Sequence, residues 1–406
     1  MTAAAIESNI LEPTSLAVTF PADPYAATSW SGTPAGLIKG LLGCGVAVSG
    51  IGLQLPLVLH KTVLGASALI RLRPPFRGSR SVLHEALTRA RVAPSQGRLE
   101  TLLARRRLRG PRRFDAIVQL GTGYSLPLAT AAVVTLEDMT VPLAHQLGFA
   151  GYRDLSPRAL TARRAAQARA YANAAACCAT SAWAADSIVA DYGIPRDRVH
   201  VVGVGANHLP QAVERDWTRP RFLFIGSDWH VKNGEAVVRA FSTLRESVPD
   251  AHLDVAGHHP RLDVPGVRTH GWLHLDHAAD RGRMERLFQQ ATCFVMPSHH
   301  EAMGIVYAEA SCAGIASIGT TAGGGSQIIG RTGRVVNPDD DAELLDAMRE
   351  LAEPARAQKL GGLAHDRSGL FTWQAVAERI LRALHLPGLH TEDLAEFLEP
   401  VSLAPH

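Results

Sequence analysis

Short apolar runs alternate with segments whose apolar residues recur at helical spacing over most of the chain. The runs at 16–20 (LAVTF), 46–53, 116–120 (AIVQL), 131–136, 174–181 and 199–205 read as strands. A helix is expected near 35–42, and another over 182–193, stopped by Gly193. The pattern restarts after 213–220 (VERDWTRP), with strand-like runs at 221–226 (RFLFIG), 252–257, 267–273, 293–298 and 316–320 and helices near 234–247, 281–291 and 304–313. Runs without polar alternation suit strands covered on both faces, and strands alternating with helices form a parallel sheet. Two such series predict an α/β protein of two doubly wound, Rossmann-like domains: 14–212, a linker at 213–220, then 221–370. In 371–387, Trp373, Val376, Ala377, Ile380, Leu381 and Leu384 share one helical face behind Thr372 as N-cap; 388–406 reads as a tail.

Composition adds limits. The 406 residues are 46% hydrophobic and 19% charged with a net charge of +3, which is ordinary globular usage and too little charge to imply nucleic acid. Five scattered cysteines without a CxxC pair predict free thiols in a reducing compartment, with neither zinc nor disulfides. The first residues carry Glu7 and no basic stretch, a poor secretory signal. The uncharged stretch 41–59 is broken by glycines and Pro56, so a helix end followed by a strand is expected there and not a membrane span.

Open α/β sheets bind ligands at the carboxyl ends of their strands. After 221–226 comes Lys232, just before a predicted helix start at Gly234; a lysine beside free helix amides suits a phosphate, as an ordinary surface lysine also fits. After 293–298 come Glu301, Gly304 and, eight residues beyond the first glutamate, Glu309. Each carboxylate can accept two hydroxyls of a vicinal diol. With amides at Gly304 between them, the order suits a sugar, a diphosphate and a ribose in a row, although two glutamates at that spacing also fit an unremarkable helix.

In sequence order, FLFIGSDWHVKNG, LDVAG, HGWL and VMPSHHEAMGIVYAEASCAGIASIGTTAGGGSQIIGRTGRVV resemble the donor half of the GT4-like, GT-B fold glycosyltransferases, from Arg221 to Val336. The Glu301-x7-Glu309 element is its most specific part, and SWSGTPAGLIKGLL and the stretch from Cys178 to Asn207 resemble the other half. The resemblance implies a GT-B architecture: two domains facing across a cleft, with the terminal helix crossing back onto the first. It implies a retaining, metal-independent transferase acting on a nucleotide-diphosphate sugar, a co-substrate and not a cofactor. In this chain it would assign the diphosphate to Lys232, the donor sugar to Glu301 and the ribose to Glu309. Amides of Gly304, Ile305 and Val306 would meet sugar and phosphate, with Met303 beside them. Gly257 and the 271–273 stretch, with Trp272 and Leu273, would line the nucleobase slot, Gly226 would belong to the donor site, and Gly32 and Thr33 would lie across the cleft near the phosphates.

This chain departs from that pattern in places. Many relatives carry an arginine ahead of the lysine, where Ser227, Asp228 and Trp229 stand here, leaving His230 as the nearest donor; Asn233 replaces a glycine. The acceptor-side acid is expected in TLEDMT, at Asp138 or Glu137. Asp339-Asp340-Asp341 reads as a capped helix start, not a metal pair, and His299 and His300 as loop histidines near the sugar. A lone GxG at 203–205 does not make a dinucleotide loop. The arginine-rich segment 71–113 is either a solvated basic face or a contact with an anionic membrane. It lacks aromatics for base stacking, so nucleic acid is not expected. A cytoplasmic setting is expected, with contact to the inner face of the membrane as the alternative that the arginine-rich segment leaves open. The acceptor is left open as a glycan, lipid or small molecule. The same architecture also serves phosphorylases, epimerases and non-catalytic proteins that bind a nucleotide sugar or scaffold a partner; the altered loop at 227–233 keeps the last in view.

Overall fold

The computed structural model describes residues 15–54, 90, 92–109, 114–126 and 131–384. The first domain runs β1 (Ser15–Phe20), α1 (Thr33–Gly43), β2 (Ala47–Gly52), α2 (Pro94–Leu108), β3 (Ala116–Leu120), β4 (Ala132–Glu137), α3 (Val141–Gln146), α4 (Pro157–Asn173), β5 (Ala176–Ala179), α5 (Ala182–Tyr192) and β6 (Val199–Val201). Its parallel sheet has the order β2-β1-β3-β4-β5-β6. The central β3 is buried along its whole length, as its unbroken apolar run requires, whereas the edge strand β2 is partly exposed.

The second domain runs β7 (Arg221–Gly226), α6 (Gly234–Ser247), β8 (His252–Gly257), β9 (Val267–Gly271), α7 (Ala278–Gln290), β10 (Cys293–Val295), α8 (Ile305–Cys312), β11 (Ala316–Thr320), α9 (Ser326–Ile329), β12 (Arg334–Val336), α10 (Asp341–Ala352) and α11 (Pro354–Asp366). The parallel order β12-β11-β10-β7-β8-β9 reverses direction between β7 and β10. That reversal is the topological switch point of a doubly wound sheet.

Several local expectations hold. Asp340 caps α10 by accepting from Ala342 N at 3.0 Å and Glu343 N at 2.9 Å. Gly193 ends α5 at φ 64°. Others are corrected. The strand expected over 293–298 stops at Val295, because Pro297 has no N–H for the ladder and Ser298 N turns back to Met296 O at 2.9 Å. The strand expected to 205 stops at Val201, before Gly203 at φ 73°. The one expected to 273 stops at Gly271, at φ 64°. Helix α4, which the apolar pattern does not announce, turns Arg163 and Gln167 inward beside Ala170 and Tyr171.

The segment 202–220 joins the two sheets. Arg215 anchors it by donating to the carbonyls of Phe288 (3.5 Å), Ala291 and Ala313 while lying over Trp217. A final helix, α12 (Trp373–Ala383), returns to the first domain with Thr372 accepting from Ala375 N at 3.1 Å. It packs against α1 at unusually short range. A Cβ on Gly36 would stand 2.2 Å from Trp373 Nε1, and one on Gly40 would stand 2.1 Å from Trp373 O.

Among the described residues no helix is long and apolar enough to cross a membrane. Much of the arginine-rich segment 71–113, together with 1–14, 55–59 and the tail 385–406, lies outside the described residues. Its described part, α2, buries Glu100 and Ala104 and exposes Arg98, Leu102, Arg105, Arg106 and Arg107.

The α1–α12 contact makes a prediction. Gly40→Ala gains about 1 kcal/mol of helix propensity but overpacks against a backbone carbonyl, at a cost of about 1–3 kcal/mol or more. Thermal unfolding is therefore expected to show a lowered Tm for Gly40→Ala. Gly43→Ala, whose Cβ would meet only Gln374 Oε1 at 3.6 Å, should leave it unchanged or raised.

Candidate active site

The switch point brings together residues far apart in sequence. Lys232 follows β7, Glu301 follows β10, and Lys232 Nζ and Glu301 Oε2 form an ion pair with both side chains largely buried. The other carboxylate oxygen of Glu301 accepts from Gly304 N at 3.0 Å, and Ser298 Oγ lies 3.5 Å from Oε2. The backbone of Glu301 is clamped on both sides: its N–H donates to Ala322 O at 2.9 Å, and its carbonyl accepts from Gly324 N at 3.0 Å. A Cβ on Gly323 would stand 2.0 Å from that carbonyl, so only glycine fits there.

Gly304 adopts φ 69° and has the Tyr307 ring packed beneath it, 2.3 Å from where a Cβ would stand. No side chain caps α8, so the amides of Ile305 and Val306 at its start are available to an anion. Met303 is buried beside them. One turn and more along α8, Glu309 Oε1 accepts from His208 N of the connecting segment at 3.1 Å, and burial pushes the carboxyl up to about 7.

The loop 227–233 is held by contacts of its own residues. Asp228 Oδ1 accepts from Val231 N at 3.0 Å, and Trp229 is buried against Gly234. Asn233 takes the left-handed conformation, φ 60°, that suits a glycine, and its Nδ2 donates to Pro338 O at 2.7 Å. His230 does not join Lys232. Its side chain is 85% exposed, pairs with Glu235 at 2.9 Å and borders a separate open cavity of about 570 Å³ lined also by Arg239, His299 and Asp339.

Gly226 and Gly257 sit opposite each other at the ends of β7 and β8, where a Cβ on Gly257 would fall 1.9 Å from Gly226 O. Beyond them Leu273 is buried, and Trp272 is exposed with its ring stacked on His258, centroids 4.5 Å apart.

The first domain faces this site. Asp138 follows β4 and accepts from Trp30 Nε1 at 2.9 Å. Burial raises its carboxyl to about 6, the Trp30 hydrogen bond opposes that rise, and the Glu301 charge across the cleft adds to it. Glu137 is a different kind of group. It is buried within the first domain, bonded to Thr122 and Gln167, and burial pushes it up to about 8. Gly32, at φ 82°, starts α1 with Asn207 against it, and Thr33 behind it is buried. His300 touches Phe149 of the first domain, ring centroids 5.3 Å apart; burial and Lys232 push its pKa down. Sequence reasoning did not find Trp30, Asn207 or His208 as neighbours of the site; their positions depend on contacts across more than a hundred residues.

Comparison with known proteins identifies the family and the fold. The family model described as "Glycosyl transferases group 1" matches residues 219–354, and the "Glycosyl transferase 4-like domain" model matches residues 36–205. The chain belongs to the GT4-like, group 1 glycosyltransferases. A glycogen synthase of Mycobacterium tuberculosis is 33% identical over 189 residues, 43% of this chain and 45% of the relative. A D-inositol 3-phosphate glycosyltransferase of Arthrobacter is 28% identical over 192 residues, 40% of this chain and 42% of the relative. The chain thus spans less than half the length of these curated relatives. The fold is shared with sucrose-phosphate synthase from Thermosynechococcus elongatus (TM-score 0.60, 18% identity, 92% of this chain and 98% of that one). It is shared also with WaaG, a glycosyltransferase involved in lipopolysaccharide biosynthesis (TM-score 0.57, 14% identity, 92% and 100%). These neighbours are GT-B glycosyltransferases.

Glu309 allows a pH test. Its folded-state pKa lies near 7, above the ordinary 4.5. The folded chain therefore binds this proton more tightly, and the associated stability, full below about 4.5, is lost as the pH rises through about 7. Glu309→Gln, which keeps an acceptor for His208 N without the charge, is expected to raise Tm above that of the wild type at pH 8, by at most about 3 kcal/mol of stability. The difference should narrow as the pH falls through about 7 and close below about 4.5 in a pH series of thermal unfolding curves.

Proposed function

We propose that this chain is a retaining, metal-independent glycosyltransferase that moves a sugar from a nucleotide-diphosphate sugar to a glycan, lipid or small-molecule acceptor. The observation that carries the reading is the meeting of Lys232, Glu301 and the uncapped start of α8 at the switch point, opposite Asp138. A diphosphate has one obvious seat there. Lys232 exchanges its bond to Glu301 for a bond to phosphate, and the amides of Ile305 and Val306 donate to the second phosphate. Glu301, released from the lysine, accepts hydroxyls of the donor sugar. Glu309 turns its carboxylate to the ribose, and the base enters the slot of Gly226, Gly257, Trp272 and Leu273.

The nucleotide diphosphate departs as an anion while the anomeric carbon becomes oxocarbenium-like. Lys232 and the α8 amides are preorganised for that departing charge. Asp138 sits on the acceptor side with a pKa of about 6, so near neutral pH it is mostly ionised and able to hold or take a hydroxyl proton. Metal independence is favoured by the use of Asp340 as a helix cap. Likeness to a glycogen synthase and to D-inositol 3-phosphate glycosyltransferases favours a hydroxyl-rich acceptor. The exposed arginines of α2 would place an anionic surface beside the acceptor domain.

Thermal stabilisation by nucleoside diphosphates and their sugars tests the reading. A bound nucleotide raises stability by about 2.7 kcal/mol at 100 times its Kd. One nucleotide class is expected to stabilise the wild type, with the shift lost in Lys232→Ala and in Glu309→Ala. Asp138→Asn should keep the shift and lose turnover. No shift with any nucleotide would return the chain to the scaffold reading.

A further inference from the structure

Ser29, Trp30 and Ser31, just ahead of Gly32, have no role in the proposed donor site, yet two of the three non-glycine residues at positive φ among the described residues stand here. Trp30 (φ 42°, ψ 53°) and Ser31 (φ 53°, ψ 31°) are both left-handed, and Gly32 follows at φ 82°. Each non-glycine residue held there costs about 1–2 kcal/mol, so the turn has to be held from outside. Asn207 Nδ2 donates to Ser31 O and Asn207 Oδ1 accepts from Trp373 Nε1 at 2.9 Å. The Trp30 ring lies parallel to Phe20, interplanar angle 2°, and its Nε1 donates to Asp138 Oδ2 at 2.9 Å.

Phe20 ends β1 and Asp138 follows β4, with β3 between them in the sheet. The indole therefore reaches over the carboxyl end of β3. There Gly121 stands at φ 76° with no atom within 4 Å of where a Cβ would be. The consequence of the strained turn is a half-buried aromatic surface beside an open strand end, tied by its polar edge to the acid that faces Glu301.

We propose that Trp30 is a positioning residue of the acceptor side of the cleft. Its N–H aims the Asp138 carboxylate, and its indole face is the surface on which a carbohydrate ring of the acceptor rests. Indole offers a broad apolar face and a polar edge together, which matches a sugar ring's C–H face and rim of hydroxyls. The inference rests on the transferase reading above and narrows its acceptor to one with a sugar ring.

Glu137, the last residue of β4 and the chain neighbour of Asp138, has its own carboxyl raised by burial and by the Asp138 charge. The Glu301 charge, across the cleft, opposes the ionisation of Asp138. The hydrogen bond from Trp30 and those from the backbone N–H groups of Asp138 and Met139 favour it.

Trp30→Phe separates the two roles, because it keeps an aromatic face and loses the N–H; Trp30→Ala loses both. The Asp138 carboxyl carbon, assigned by its absence in Asp138→Asn, is followed by 13C NMR of the full chain across pH. Its midpoint is expected to rise by about one pH unit in Trp30→Phe. In saturation-transfer NMR with glucose, mannose and maltose, ring protons of at least one sugar should receive saturation from the wild type and from Trp30→Phe but not from Trp30→Ala. Trp30→Leu takes the place of the alanine variant if circular dichroism shows that the latter does not fold. An unmoved Asp138 midpoint in Trp30→Phe overturns the positioning role. Sugar signals that persist without the ring, or that are missing from the wild type, overturn the platform. Nucleotide stabilisation of the same wild-type sample tells the failures apart. If a nucleotide stabilises it while none of the three sugars binds, the acceptor inference fails and the transferase reading stands; if neither binds, both fail.

Discussion

The wedge of Trp373 between the first domain and the connecting segment is the contact on which the cleft depends. Three glycines make room for it: Gly36 and Gly40 on α1, and Gly205, where a Cβ would fall 2.4 Å from the indole. Its indole N–H reaches Asn207, and Asn207 in turn holds Ser31, so one tryptophan ties the terminal helix, the connecting segment and the strained turn together. The next residue, His208, gives its N–H to Glu309 on α8. Arg379 secures the same joint by donating to Val202 O at 2.8 Å and Leu370 O at 2.6 Å. These contacts set the carboxyl ends of two separately folded sheets opposite one another, the arrangement a two-substrate reaction needs.

The electrostatics of the cleft follow from that placement. Asp138 and Glu309 are carboxyls held above their ordinary range mainly by burial, and Glu301 is held by Lys232 and the Gly304 amide. A site with several acids and one lysine at its centre is poised for a ligand that brings both hydroxyls and negative charge. Hydroxyls answer the acids; phosphates answer the lysine and the α8 amides. The loop 227–233 is closed by Asp228, with Trp229 filling the space under Gly234 and Asn233 in the left-handed position.

How far the sequence could be read depended on how local the cause was. The strands at 16–20, 116–120, 221–226, 252–257 and 316–320 lie where their unbroken apolar runs put them, because both faces of a central parallel strand are covered. The Glu301–Glu309 spacing and the Lys232 position were legible because the switch point collects whatever follows β7 and β10. Helix α4 was not, because its inward face carries Arg163 and Gln167, which apolar periodicity counts as surface. Arg163 bonds to the half-buried Tyr152 hydroxyl and Gln167 to the buried Thr122. Equally hidden were the left-handed Trp30 and the His208 bond to Glu309, which no neighbouring residue in sequence dictates.

The most direct test is a reaction. The purified chain is mixed with nucleotide-diphosphate sugars and a panel of hydroxylated acceptors, with nucleoside diphosphate release followed together with the anomeric proton of the product by NMR. The account predicts release that requires an acceptor and is abolished by Lys232→Ala, with the new linkage keeping the donor's anomeric configuration. A product of inverted configuration, or release that is indifferent to Lys232, would contradict it.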